Sequence, residues 1–267
     1  YNMKEGFSVC YLRKGKEVVD TTENHVFNRC TGAIYVHKNK TKILPWSKEI
    51  ETGYKQKKGA TLASGPLLML HGESVWNDEN DSFNKTKHPR SAIFTTKDKK
   101  TVFITVDGRS QGNAIGVSIA ELTHLIRILG GHDALNLDGG GSTTMGIRKP
   151  GSNDVVLVNK PSDGSQRRVS TILEAISTAP TGKPVQAEVT RSRVGTFLVG
   201  ASASVTSVSN MTDAHYNAIT PFKSKLNLSS ERGTIKSEGL TYTMTEVGTD
   251  RLQVAHEDDV IQTYPIT

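Results

Sequence analysis

The sequence predicts an α+β fold in two parts: a mixed-sheet domain with few helices, followed by a small all-β sandwich. Three observations predict it. Over residues 1–178, short strand-like apolar segments recur and one amphipathic helix stands out at 118–131. APTGKP at 179–184 then reads as a linker by its proline and glycine content. Beyond it, residues 185–267 carry five or more short strand-like segments separated by Gly, Asn, Asp and Ser, with no helical periodicity. That texture suits an immunoglobulin-like sandwich.

Taken in order, FSVCYL (7–12) and GAIYVH (32–37) read as strands. Residues 38–58 are polar and lysine-rich, a surface excursion. ATLASGPLLMLHG (60–72) is an apolar run broken by Gly65-Pro66. Proline cannot donate to a strand ladder, so the break marks a strand edge or a tight bend. Residues 73–89 lack periodicity and read as a loop. RSAIFTT (90–96) and TVFITVDGR (101–109) are two strands around a Lys97-Asp98-Lys99-Lys100 tip. In the helix, Ser118 and Glu121 have capping-box spacing, and Ile119, Leu122, Leu125, Ile126 and Leu129 form one apolar face. Gly130-Gly131 ends it. DALNLD (133–138) is a buried strand, and DVVLV (154–158) and RVSTILEAI (168–176) are further strands. In the second part, VQAEVT, ASASVTSV, SKLNLSS, LTYTMTEV and DRLQVAH supply the strands, and Phe197, Phe222 and Tyr242 are expected in the core. No chemistry clusters there, so the sandwich reads as a spacer, an attachment unit or a lid support.

The net charge of +6 suits anionic partners in a general way, but the basic residues are scattered. No basic-aromatic stripe or zinc-finger spacing points to nucleic acid. No stretch is apolar enough for a membrane span, and no signal peptide pattern is present. Cys10 and Cys30 form either one bridge or two free thiols.

The chemistry concentrates in ALNLDGGGSTTM (134–145). Glycines let backbone approach another group closely, and successive N–H groups in such a loop can bind an anion. Gly139, Gly140 and Gly141 would supply amides, Ser142, Thr143 and Thr144 hydroxyls, and Asp138 a carboxylate at the strand's end. The stretch is neither a P-loop, lacking GK[ST], nor a dinucleotide fingerprint, lacking GxGxxG. Arg90, Arg109 and Arg168 stand at strand ends, and the planar guanidinium matches phosphate oxygens in bidentate fashion. Asn136 alternates with Asp138 and so faces the same side. Asp107 and Glu121 complete the carboxylates, Glu121 with a competing capping role. Asp107, Asp138 and Glu121 also offer oxygen ligands suited to Ca²⁺ or Mg²⁺. The histidines show no HxxxH or HExxH spacing, which argues against zinc, and His71, His88 and His132 read as structural.

ALNLDGGGSTTM closely resembles the signature of the phosphodiester glycosidase family. LASGPLLMLHG, HPRSAIFTT, VFITVDGR, GVSIAELTHLIRILG and QRRVSTILEAI are similar to the family's segments in the same order, so the resemblance covers residues 1–178 and suggests a bacterial, Bacteroides-like relative. It implies an extracytoplasmic hydrolase that cleaves the glycosidic bond of a sugar-1-phosphodiester, releasing an N-acetylglucosamine-like sugar and a phosphomonoester. Asp107, Asp138 and Glu121 would be catalytic. Arg90, Arg109, Asn136, Gly139, Gly140, Gly141, Ser142, Thr143 and Arg168 would bind substrate. Family members carry an NGGFF or NAGYF type segment near the domain's start, whereas this chain opens at Tyr1-Asn2, as though cut within or just after it. Two other readings stand beside this one: a non-catalytic binder of glycan phosphodiesters, and a phosphodiesterase cutting the P–O bond.

Overall fold

The structure, a computed structural model, describes residues 6–76 and 81–267. Tyr1-Asn2 and residues 77–80 of the predicted 73–89 loop lie outside the described residues. The chain divides into two compact units: residues 1–146 with 157–174, and residues 147–156 with 175–267.

The first unit runs β1 (Leu12–Lys14), β2 (Glu17–Asp20), β3 (Gly32–His37), β4 (Lys40–Pro45), α1 (Lys48–Gly53), β5 (Ala60–Ser64), β6 (Leu67–Leu70), β7 (Glu73–Ser74), α2 (Ser82–Lys85), β8 (Arg90–Thr96), β9 (Thr101–Val106), α3 (Ile119–Ile128) and β10 (Gly131–Asn136). Two five-stranded sheets result, ordered β2-β1-β5-β3-β4 and β7-β6-β10-β8-β9. The pairings β8–β10 and β6–β10 are antiparallel, as are β3–β4 and β3–β5. The outcome is the expected α+β class.

Alternation along the central strands explains the layering. Leu68, Met69, Ala92, Phe94 and Ala134 pack with Ile119, Leu122 and Ile126 of α3. Their sequence neighbours Leu67, Ile93 and Leu135 point the other way and meet Ile34 and Ile43 of the first sheet. The second sheet is therefore buried on both faces, which is why β8 and β10 read as continuous apolar runs. A further cluster of Tyr11, Cys30, Ala33, Trp46 and Ala63 packs against the first sheet.

Several expected elements differ. Leu12 is the first strand residue, where FSVCYL was expected to be extended throughout. The lysine-rich excursion at 38–58 contains β4 and α1, because Ile43 and Trp46 are buried anchors within a polar segment. Gly65-Pro66 is a bend between β5 and β6, joined by a cis peptide bond. The α3 helix starts on the Ser118–Glu121 capping box but stops at Ile128, leaving Leu129 exposed. Residues 168–176 form no strand: they find no neighbouring ladder, and Ile172 is 77% exposed.

After a two-stranded ribbon of β11 (Gly146–Arg148) and β12 (Val155–Leu157), the second unit holds β13 (Pro184–Arg191), β14 (Ser202–Asp213), β15 (Leu226–Ser230), β16 (Ile235–Glu238), β17 (Thr241–Met244), β18 (Asp250–His256) and β19 (Asp259–Ile266). They form a four-stranded sheet, β13-β14-β17-β16, and a three-stranded sheet, β15-β18-β19. Val205, Met211 and Tyr242 from one sheet pack with Leu252, Val254 and Ile261 from the other, which makes a sandwich. Phe197 joins that core, whereas Phe222 is exposed, contrary to expectation. The proline-glycine stretch is tied to this unit: Asn217 Nδ2 donates to the carbonyls of Ala179 and Pro180, and Gly182 N donates to Asp213 Oδ2 at 2.7 Å.

Candidate functional site

The register of three strands gathers the site at one edge of the second sheet. Asn136 pairs with Ala92, and Leu137 N donates to Ser91 O at 2.8 Å. Arg90 in turn pairs with Val106. The start of β8, the end of β9 and the end of β10 therefore lie side by side, with Asp107-Gly108-Arg109 and Asp138-Gly139-Gly140-Gly141 continuing from the latter two. The fit is close. A Cβ on Gly139 would lie 2.7 Å from Pro89 O, and one on Gly108 would lie 2.7 Å from Gly116 Cα. Gly140 takes φ 60 and opens a short 3₁₀ turn, Gly140–Ser142.

A cavity of about 330 Å³ opens there, lined by Arg29, Arg90, Arg109, Arg167, Asp138 and the three glycines, among others. Among the described residues, Asp138 is its one carboxylate. Two of the arginines are neutralised: Arg29 holds Asp81 in bidentate fashion at 3.0 and 3.1 Å, and Arg167 pairs with Asp163 at 2.5 Å. Arg90 and Arg109 differ. Arg90 is 1% exposed and donates to the carbonyls of Val117, Phe83 and Thr86. Arg109 donates to His88 Nδ1. Among the described residues, neither forms an ion pair. Burial, and then the charge of Arg109, lower the Arg90 pKa to about 10. Two like charges facing a partly closed cavity, outnumbering the single carboxylate of Asp138 and not ion-paired with it, favour an anion there.

The expected site residues fare differently. Arg90, Arg109, Asp138, Gly139, Gly140 and Gly141 come together around the cavity. The loop amides assigned to an anion are mostly engaged within the protein. Gly139 N meets Asp138 Oδ1 at 2.9 Å, Gly140 N meets Pro89 O at 2.8 Å, and Ser142 N and Thr143 N bond Gly139 O and Gly140 O. The hydroxyls of Ser142, Thr143 and Thr144 are buried and, among the described residues, find no hydrogen-bond partner. Asn136 is buried; its Nδ2 donates to Gly65 O at 2.8 Å and Leu137 O at 2.9 Å, which fixes the β5–β6 bend.

Asp107 and Glu121 are not among the cavity's lining residues. Asp107 accepts from Asn159 Nδ2 and Lys160 N, both at 3.0 Å, while Asn159 also bonds Thr143 O and Met145 N. Glu121 completes the capping box and meets Lys87 Nζ at 2.6 Å, a bond that lowers its pKa. Asp107, Glu121 and Asp138 are each held by different partners, and among the described residues their ligand oxygens do not lie together as a set that could share Ca²⁺ or Mg²⁺. Arg168 is not in the lining; its neighbour Arg167 is.

Other lining groups went unrecognised in the sequence. The Phe83 ring packs against two guanidiniums, its centroid 4.5 Å from Arg90 Cζ and 5.2 Å from Arg29 Cζ. His88 is held neutral, its pKa lowered by burial, then by Arg109 and Arg90. Cys10 and Cys30 are both free thiols on the cavity wall. Arg167, beside Arg168 in the sequence, was not singled out there, although the adjacent pair was a visible signal.

A family model described as phosphodiester glycosidase matches residues 4–175. The "SPbeta prophage-derived uncharacterized protein YomE" of Bacillus subtilis is 35% identical over 96 residues, which is 36% of this chain and 13% of that protein. Zebrafish N-acetylglucosamine-1-phosphodiester alpha-N-acetylglucosaminidase, solved as a catalytic domain auto-inhibited by its pro-peptide, matches at 18% identity with a TM-score of 0.46. That match covers 64% of this chain and 57% of the zebrafish one. An exported protein of Burkholderia pseudomallei, itself described as putative, matches at 16% identity with a TM-score of 0.32, covering 56% of this chain and 39% of that one. The chain thus spans less than two thirds of the length of these relatives.

Proposed function

The chain belongs to the phosphodiester glycosidase family, and from that premise we propose that it hydrolyses the glycosidic bond of a sugar-1-phosphodiester, releasing a free sugar and a phosphomonoester. One observation carries the reading: Arg90 and Arg109 face the glycine loop and Asp138 in one cavity and, among the described residues, neither is ion-paired with a carboxylate. A phosphate leaving group is a weak base. It needs little proton donation and much charge stabilisation, which fixed guanidiniums supply as the C1–O bond breaks. In this reading Arg90 and Arg109 hold the phosphate. The hydroxyls of Ser142 and Thr143 stand next in the chain as further donors. Asp138 acts at C1, by attack or by activating water. His88 Nε2–H is a neutral donor at the rim.

N-acetylglucosamine is the sugar we assign first, and an extracytoplasmic location and a spacer role for the sandwich complete the reading. The test is release of N-acetylglucosamine from its UDP conjugate and from an N-acetylglucosamine-1-phospho-6-mannose diester, with Asp138→Asn as control. Release by the wild type alone supports the reading. Reaction in ¹⁸O-water separates it from P–O cleavage: the label enters the sugar in the first case and the phosphate in the second.

A binding module is the second reading, because among the described residues Asp138 is the one carboxylate lining the cavity where a glycosidase ordinarily uses two. Tight binding of both compounds without release would favour it.

A further inference from the structure

At the opposite end of β10 from Asp138, two backbone irregularities bring three metal-ligating side chains together. The first is in β10 itself. The register against β8 shifts between Gly131, which pairs with Thr96, and Asp133, which pairs with Thr95. Neighbours on a regular strand face opposite sides. A shift of this kind re-aims one of them, and His132 Nδ1 comes to lie 3.2 Å from Asp133 Oδ1. The second irregularity is the β6–β7 turn. Leu70 pairs with Glu73, so His71-Gly72 is a two-residue hairpin turn with φ of 53 and 87. Turns with two positive φ values favour Asn-Gly; here the first position holds an imidazole. The turn is docked on β10 by Gly72 N donating to His132 O at 2.7 Å and by His71 N donating to Asp133 Oδ1 at 2.7 Å.

We propose that His71, His132 and Asp133 bind a divalent transition metal of the zinc class. Among the described residues this is the one group of three or more His, Cys, Asp or Glu with ligand atoms all within 4.8 Å of one another. Tetrahedral zinc with bonds near 2.1 Å separates its ligand atoms by about 3.4 Å. His132 Nδ1 and Asp133 Oδ1, at 3.2 Å, stand close to that spacing. His71 Nδ1, at 3.9 Å from Asp133 Oδ1, closes the rest by a small rotation of an exposed ring. Two imidazoles and one carboxylate suit zinc, copper or nickel and not calcium or magnesium. Thr95 Oγ1, 3.4 Å from Asp133 Oδ2, and the His71 amide orient the carboxylate, the outer-shell support that ligating groups ordinarily have. The fourth position opens to water. Because strand pairing, not sequence spacing, joins the ligands, the HxxxH and HExxH patterns could not detect the site. It lies about 16 Å along β10 from Asp138, judged from the rise per strand residue, and is independent of the cavity.

The test is titration of the full chain with Co²⁺, followed by its visible absorption, and with Zn²⁺ in competition against a chromogenic chelator. One Co²⁺ per chain with tetrahedral-type bands is expected, and Zn²⁺ should displace it and raise Tm. His71→Gly suits the left-handed turn and removes only the imidazole; it should weaken binding by at least about tenfold, as should His132→Gln. Asp138→Asn should bind as the wild type does. Absence of binding to the wild type, or equal affinity in both histidine variants with native Tm, would overturn the assignment.

Discussion

Arg109 meets His88 twice: its Nε and Nη2 lie 3.2 and 3.0 Å from the same ring nitrogen, Nδ1. Two donors converging on one nitrogen require a lone pair there, so the ring is neutral with its proton on Nε2. Arg109 itself sits at φ 53, an uncommon conformation for a non-glycine residue. His88 therefore helps to hold the guanidinium over the glycine loop, where a Cβ on Gly140 would lie 3.0 Å from Arg109 Nη1.

That pairing predicts a pH dependence. Burial, Arg109 and Arg90 lower the His88 pKa from its ordinary 6.5. As pH falls, the unfolded chain takes up this proton first, so the native state loses stability from about pH 6.5 downward until the lowered folded value is passed. Protonation would also set an N–H against the guanidinium, so phosphate affinity should fall in the same window. Tm and affinity measured against pH should decline together in the wild type. His88→Gln, which keeps an acceptor and cannot titrate, should flatten this part of both curves. An unchanged slope in that variant would show that another group is responsible.

The glycines should separate by what surrounds them. A Cβ on Gly139 meets a backbone atom, Pro89 O at 2.7 Å, and that carbonyl also receives Gly140 N. Gly139→Ala must move backbone and should cost about 1–3 kcal/mol of stability through overpacking, seen as a marked fall in Tm. A Cβ on Gly141 meets only side-chain ends, those of Asp163 and Arg167. These can shift, so Gly141→Ala should keep most of the stability, and because Arg167 is already paired with Asp163 its phosphate affinity should change little. Thermal melts beside phosphate titrations check both, and equal Tm losses would contradict the distinction.

The sequence made legible what lies in contiguous residues or repeats along one face. The capping box of α3 and the DGGG loop at the end of β10 needed no knowledge of distant neighbours. Arg90 and Arg109 were legible as strand-end residues, because a hairpin places the start of β8 beside the end of β9. The partners of Asp107 were not, since Asn159 and Lys160 are 52 and 53 residues away. Residues 168–176 have strand-forming composition, but propensity yields a strand only where a neighbour supplies the ladder. Ile172 and Ile176 remain 77% and 73% exposed.

Asp107 and Asp138 should fail in different ways. Asp138 lines the cavity and accepts from one amide, Gly139 N. Asp138→Asn should abolish turnover while leaving Tm within a few degrees. Asp107 accepts two hydrogen bonds, from Asn159 and Lys160, and so fastens the 159–160 segment near Thr143. In Asp107→Asn a new NH₂ group must face one of those two N–H donors. The expected loss is about 1–3 kcal/mol of stability, with any kinetic effect falling mainly on KM through the displaced segment. Steady-state kinetics and melts on both variants decide. A native Tm with kcat lost in Asp107→Asn would favour a catalytic role for Asp107 instead.

Cys10 and Cys30 predict a chemical probe of the cavity. Hydrogen bonding from Cys30 lowers the Cys10 pKa against the opposing effect of burial. The Cys30 thiol is pushed up by the same bond and by its own burial. Both line the cavity, but Cys10 is the more accessible of the two. Iodoacetamide should therefore modify Cys10 first, at a pH below the ordinary thiol range of about 8.5. Because the thiolate is the reactive form, Cys30→Ala should slow this labelling near neutral pH by removing the donor. Alkylation should block phosphate binding, and bound phosphate should protect the thiol. Mass spectrometry of the labelled chain gives the order of reaction. Equal labelling of both thiols, or an unchanged rate in Cys30→Ala, would mean that the pair does not share its proton in this way.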